Sequence, residues 1–129
     1  MIVVDSSVWI GHFRNAPTPQ VQQLRSLFVQ DRLLVGDLVL LEILQGARDE
    51  AHAAKLAAGL AGFEPVAMVG PEIAVLAARH YRQLRTAGIT VRKTIDLIIA
   101  TFCVMHDHII LHDDRDFNAM QPILGLRTL

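Results

Sequence analysis

The chain has 129 residues, 52% of them hydrophobic, enough to bury one substantial core and too few to divide comfortably in two, so residues 1–129 read as a single domain. Twelve Lys and Arg against thirteen Asp and Glu leave a formal net charge of -1, which excludes general basicity and confines any nucleic-acid binding to a local patch. No apolar run approaches the ~20 residues that span a bilayer, no secretory start is present, and the lone Cys103 sits in an apolar run, so a cytoplasmic protein without disulfide or membrane span is expected.

Ile2-Val3-Val4 followed by Asp5-Ser6-Ser7 reads as a short buried strand stopping at a polar turn, with Asp5 at its carboxyl end. A helical turn over 8–13 and a break at Pro17 and Pro19 lead to an amphipathic helix marked by Val21, Leu24, Leu27 and Phe28. Leu33-Leu34-Val35 is a second strand. It opens into a helix over 38–45 that Asp37 is expected to cap and Gly46 to end, with Glu42 set among Leu40, Leu41, Ile43 and Leu44. An Ala-rich helix over 50–60 precedes Phe63-Glu64-Pro65-Val66, a weaker third strand that Pro65 confines to an edge.

Pro71 begins a long helix over 71–86, with Gly88 beyond its end. Residues 94–105 are apolar almost all round, the pattern of an interior helix, and Asp96 in the first turn is the only charge. A fourth strand over 108–111 runs into His112-Asp113-Asp114-Arg115-Asp116-Phe117, and Ile123-Leu124-Gly125-Leu126 offers a fifth. Strands alternating with helices predict an α/β fold with a mainly parallel sheet. In such folds ligands sit at the carboxyl ends of the strands, where Asp5 and Asp114 both lie.

Asp5, Glu42, Asp96 and Asp114 are the candidate catalytic residues. A carboxylate in apolar surroundings needs hydrogen bonds, a cation or a proton, and one shared divalent ion would serve several at once. Oxygen ligands without Cys favour Mg²⁺ or Mn²⁺, which in phosphodiester cleavage activate water and neutralise the leaving oxygen. Each aspartate alone also fits an ordinary structural role: a turn after a strand for Asp5, a helix N-terminal charge for Asp96, an Asx turn for Asp114. His106, His108 and His112 raise a transition-metal reading, against which solvated histidines in a turn are the simpler account.

As a whole the pattern resembles the PIN domain, and particularly the VapC-type toxins of bacterial toxin–antitoxin pairs. The carriers are Val4-Asp5-Ser6-Ser7-Val8-Trp9-Ile10, Glu42-Ile43-Leu44-Gln45-Gly46, Asp96-Leu97-Ile98-Ile99-Ala100 and Asp114-Arg115-Asp116-Phe117, spread along the whole chain. The resemblance implies a three-layer sandwich with a five-stranded, mainly parallel sheet flanked by helices, and endonucleolytic cleavage of RNA, commonly tRNA or ribosomal RNA. On the same grounds Asp5, Asp96, Asp114 and Asp116 would hold Mg²⁺ or Mn²⁺, with Ser6 or Ser7 as a hydroxyl beside the metal. His112-Asp113 stands where the family often has Thr or Ser, which leaves Asp113, Asp114 and Asp116 as alternatives for the last acidic ligand. Asp114 is preferred by register, with Asp116 suited to capping the turn that follows.

A VapB-type antitoxin that inserts a basic side chain into the acidic site, and a homodimer, are further implications of the resemblance. Trp9, Ile10, Phe13, Val39 and Ile43 are apolar material for the antitoxin's groove, though core packing explains each as well. Arg79, Arg82 and Arg85, spaced along one helix face, and Arg92 and Lys93 before Asp96 are candidates for RNA phosphate contact. A solvated helix face is the competing reading for the first three. Two other functions compete with nuclease action. A Mg-dependent phosphatase is disfavoured because Ser7 stands where a second Asp would be needed, and an inactive RNA- or partner-binding PIN module is disfavoured because all four carboxylates are present.

Overall fold

The structure, a computed structural model, describes residues 1–129. It contains β1 (Ile2–Val4), α1 (Ser6–Phe13), α2 (Pro19–Leu27), β2 (Leu33–Leu34), α3 (Asp37–Gln45) and α4 (Glu50–Gly59). The chain continues with α5 (Pro71–Thr86), α6 (Thr94–Met105), β3 (Ile109–Leu111), α7 (Arg115–Leu124) and β4 (Arg127–Thr128). The sheet has four strands in the order β2-β1-β3-β4, all parallel, with Val3 opposite Leu34 on one side and Ile110 on the other.

The central strand is buried along its whole length, as its unbroken apolar run requires of a parallel sheet covered on both faces. The chain leaves β1 to one side to form β2 and returns on the other to form β3, so the strand order reverses between β1 and β3. The crevice beyond their carboxyl ends is the ligand position of such sheets. Asp5 N donates to Leu111 O at 2.9 Å, carrying the β1–β3 pairing up to the lip of that crevice.

Seven helices flank the sheet. α1 packs on α2 and α3, and α3 on α4, while α5, α6 and α7 pack on one another. α6 buries seven of its twelve residues, including Asp96, in keeping with its nearly uniform apolarity. One cluster of 28 buried hydrophobic residues links sheet and helices. No helix is long and apolar enough to cross a membrane.

Four local expectations are corrected. The third strand is reduced to a single parallel bridge between Gly36 and Val66, because Pro65 beside it has no N–H for a ladder. The five-stranded sheet is therefore four-stranded. Ile123 and Leu124 belong to the end of α7, which Gly125 stops in the left-handed conformation (φ 72°), so the last strand is Arg127–Thr128 instead of 123–126. Gly36, not Asp37, occupies the N-cap position of α3, and Asp37 Oδ1 accepts from Met68 N at 3.1 Å. Finally, α1 begins at Ser6, two residues earlier than the periodicity suggests, because Asp5 caps it.

Candidate active site

Asp5 is 3% exposed and closes β1 as the N-cap of α1. Its Oδ2 accepts from Ser7 N (3.1 Å) and Ser7 Oγ (2.7 Å), whereas Oδ1 is buried with no hydrogen-bond partner. Ser7 Oγ also accepts from Asp113 N at 3.1 Å, so one hydroxyl orients the Asp5 carboxylate and ties the end of β1 to the loop after β3.

Glu42 projects from α3, where Ser6 Oγ donates to its Oε1 at 3.2 Å. Burial first, then the neighbouring Asp5 and Asp96 charges, push its pKa above the ordinary range, against the Ser6 hydrogen bond and Lys93. Asp96, 2% exposed in the first turn of α6, is displaced further. Burial drives its carboxyl up to about 6 despite the opposing charge of Lys93. Lys93 Nζ lies 3.4 Å from Asp96 Oδ2, an ionic contact without hydrogen-bond alignment, so this oxygen too is an unbonded buried acceptor.

Asp114 caps α7, its Oδ1 accepting from Asp116 N at 3.0 Å while Oδ2 stands 3.4 Å from Lys93 Nζ. Partial burial would raise its pKa, but the Asp116 N–H, Lys93 and His112 together hold it below the usual value. Capping thus belongs to Asp114 and not, as expected, to Asp116, whose Oδ1 pairs with Arg92 at 3.1 Å. Asp113 is exposed and contributes only its backbone N–H.

Two sets of three carboxylates result, one of Asp5, Glu42 and Asp96 and one of Asp96, Asp114 and Asp116, each with oxygens within 4.8 Å of one another. Asp96 is common to both. All four candidate catalytic residues, together with Asp116, Ser6 and Ser7, therefore converge on the crevice. Arg92 and Lys93 also arrive there, paired with carboxylates. Arg79, Arg82 and Arg85 are exposed on α5 and form no ion pair with the cluster; Arg85 lies 5.9 Å over the Tyr81 ring.

His112 is a participant that sequence reasoning treated as incidental. Its Nδ1 accepts from Asp114 N at 3.1 Å and its ring packs 5.1 Å from that of Phe117, fixing the loop that presents Asp114. Its position between the last apolar residue of β3 and the acidic run was the available signal. His106 and His108 stack on each other, pack at a tilt against Phe102, and join no set of three ligand-bearing side chains. Of the apolar groove candidates, Trp9, Val39 and Ile43 are core residues, Ile43 also reaching the floor of a surface recess. Ile10 and Phe13 line that recess of about 340 Å³, with Arg14, Gly46, Arg48, His52 and Leu56.

The model of the PIN domain matches residues 2–121. This chain belongs to the PIN-domain family. A VapC ribonuclease of Mycobacterium bovis is 30% identical over 130 residues, covering 99% of this chain and 97% of the relative, and ribonuclease VapC11 of Mycobacterium tuberculosis matches to the same extent. These place the chain in the VapC branch of the family. Among solved structures, VapBC2 from Rickettsia felis bound to a promoter DNA fragment superposes with a TM-score of 0.80, covering 100% of this chain and 98% of that one. At 16% identity that likeness speaks for the PIN fold alone.

Proposed function

We propose that this PIN protein is a metal-dependent endoribonuclease, the toxin of a toxin–antitoxin pair, acting on RNA such as tRNA or ribosomal RNA. One observation carries the reading: Asp5 Oδ1 is buried with neither a hydrogen-bond partner nor a cation beside it, in a set with Glu42 and Asp96 whose carboxylate oxygens lie within 4.8 Å of one another. Leaving such acceptors unsatisfied costs free energy that a hard cation recovers. The donor set is all oxygen, which suits Mg²⁺ or Mn²⁺ better than zinc.

In this reading Asp5, Glu42 and Asp96 hold the ion, with Asp114 and Asp116 at its outer side. When bound, the ion lowers the pKa of an attacking water and neutralises charge on the scissile phosphate. Ser7 keeps Asp5 Oδ2 occupied so that Oδ1 faces the site. Ser6 occupies Glu42 Oε1, so that Oε2 is left to face the ion or its water. Arg92 exchanges Asp116 for phosphate as RNA approaches, Lys93 stays on its carboxylates and turns a remaining donor to phosphate, and Arg79, Arg82 and Arg85 extend the cationic track along the strand.

RNA as the substrate, and a VapB-type antitoxin as the inhibitor, rest on the named activity of the VapC relatives and the VapBC assembly of the structural neighbour. The apolar recess between Ile10, Phe13, Ile43 and Leu56, rimmed by Arg14 and Arg48, is suited to an amphipathic segment of that partner. The deciding experiment maps RNA 5′ ends after induced expression of wild type and Asp96→Ala. A discrete new end in wild type alone is expected, and identical profiles reject the reading. In vitro, antitoxin-free protein should cut RNA with Mn²⁺ or Mg²⁺ and stop in EDTA.

A further inference from the structure

The two carboxylate sets have the same chemistry but differ in what surrounds them. In the outer set every member already has a partner of complementary charge: Lys93 Nζ lies 3.4 Å from both Asp96 Oδ2 and Asp114 Oδ2, and Arg92 holds Asp116 at 3.1 Å. Asp114's other oxygen is taken by the Asp116 N–H. In the inner set neither Asp5 nor Glu42 contacts a lysine or arginine, and Asp5 Oδ1 has no partner at all.

From this contrast we infer that Lys93 is the resident cation of the outer set, filling by side chain the place a second metal ion would take, so that the site binds one divalent ion, at Asp5, Glu42 and Asp96. The inference rests on the metal-dependent reading above. An ammonium and a second dication would compete for the same oxygens, and at contact distance they repel strongly in a partly desolvated crevice. The position of Lys93 supports the assignment. It is the N-cap residue of α6 in extended conformation (φ -127°, ψ 118°), so the start of the helix that presents Asp96 also fixes where the lysine stem begins. Its side chain is 52% exposed, so removing the charge leaves no hole in the core.

Lysine brings a selectivity that a metal would not. It supplies one charge and three short-range donors without an open coordination position, so it can organise Asp96 and Asp114 while generating no second activated water. Arg92 performs the corresponding task for Asp116.

The test counts ions. Metal-free wild type, Lys93→Gln and Lys93→Arg are titrated with Mn²⁺ by calorimetry, and the number of bound ions is checked by electron paramagnetic resonance, where two neighbouring Mn²⁺ ions give a spin-coupled spectrum. Circular dichroism in EDTA verifies that each variant is folded. One ion is expected in wild type and in Lys93→Arg, and two with a coupled spectrum in Lys93→Gln. The same number of ions, one or two, in wild type and Lys93→Gln overturns the role of Lys93 while leaving metal dependence standing. No ion in any of the three overturns the metal reading and this inference together.

Discussion

Asp5 and Asp114 are built by the same local device. Each follows a parallel strand of the pair β1 and β3, adopts an extended conformation, caps the next helix, and accepts the N–H two residues on, at 3.1 Å for Asp5 and 3.0 Å for Asp114. Their second oxygens then diverge. Asp5 Oδ1 is sealed into the crevice without a donor, whereas Asp114 Oδ2 meets Lys93, and the Asp114 side chain is 23% exposed. A cap stabilises its helix with one oxygen and leaves the other free, so in the proposed reading the surroundings of the second oxygen separate an aspartate open to an ion from one already met by a lysine.

The largest expected effect breaks the inner side of this comparison. Asp5→Asn keeps the cap but weakens the ligand, and cleavage of a labelled RNA under single-turnover conditions should fall by more than about 100-fold, beyond the range usual for groups that only support a ligand. Asp116→Asn, already neutralised by Arg92, should lose much less in the same assay.

Asp96 ranks next, and here the readout is stability. A carboxyl raised to about 6 makes its contribution to stability below the unfolded value and loses it as pH rises through 6, so at pH 7.5 the metal-free protein carries the full burden of the buried charge. Asp96→Asn should therefore stabilise the metal-free chain by about 2–3 kcal/mol at pH 7.5 in urea unfolding, and the gain should vanish near pH 4. Mn²⁺ should stabilise wild type more than the variant, with wild-type affinity falling below pH 6 as protons displace the ion.

Ser7→Ala sharpens the comparison from one step further out. Without the hydroxyl, Asp5 loses an orienting donor and Asp113 N its acceptor, and Mn²⁺ affinity by calorimetry should drop about 10–100-fold. The smallest effect is on the outer cap. Asp114→Ala should lower unfolding stability by about 1 kcal/mol, the usual value of a helix N-cap.

The same distinction explains what could be read from the sequence. The strand at 2–4 and the helices at 71–86 and 94–105 were legible to the residue because their signals are local: a β-branched run, Pro71 at a first turn, a wholly apolar stretch. The edge beyond β2 and the last strand were not, since strand pairing depends on partners distant in sequence. The Ile123-Leu124 pair is as apolar in a helix end as in a strand. The inner carboxylates stood out because a charge amid Leu and Ile is anomalous in any fold. Lys93 and Arg92 look like an ordinary exposed basic pair; apart from the local Lys93–Asp96 contact, they acquire their partners Asp114 and Asp116 only when the start of α6 and that of α7, more than 20 positions apart, come into contact. His112 was noted in the sequence only as a metal-ligand alternative and a departure from the family's pattern; its role escaped for a related reason, because a ring nitrogen accepting a backbone N–H leaves no mark in composition.

The brevity of the outer strands has its own consequence. β2 and β4 are two residues long, and the bridge at Gly36 and Val66 adds only one further pair beyond β2. A sheet grows from one molecule into the next along rows of free N–H and C=O groups, and rows this short are a poor template for aggregation or strand exchange. Despite a core built on parallel β-structure, the protein should resist fibre formation when concentrated.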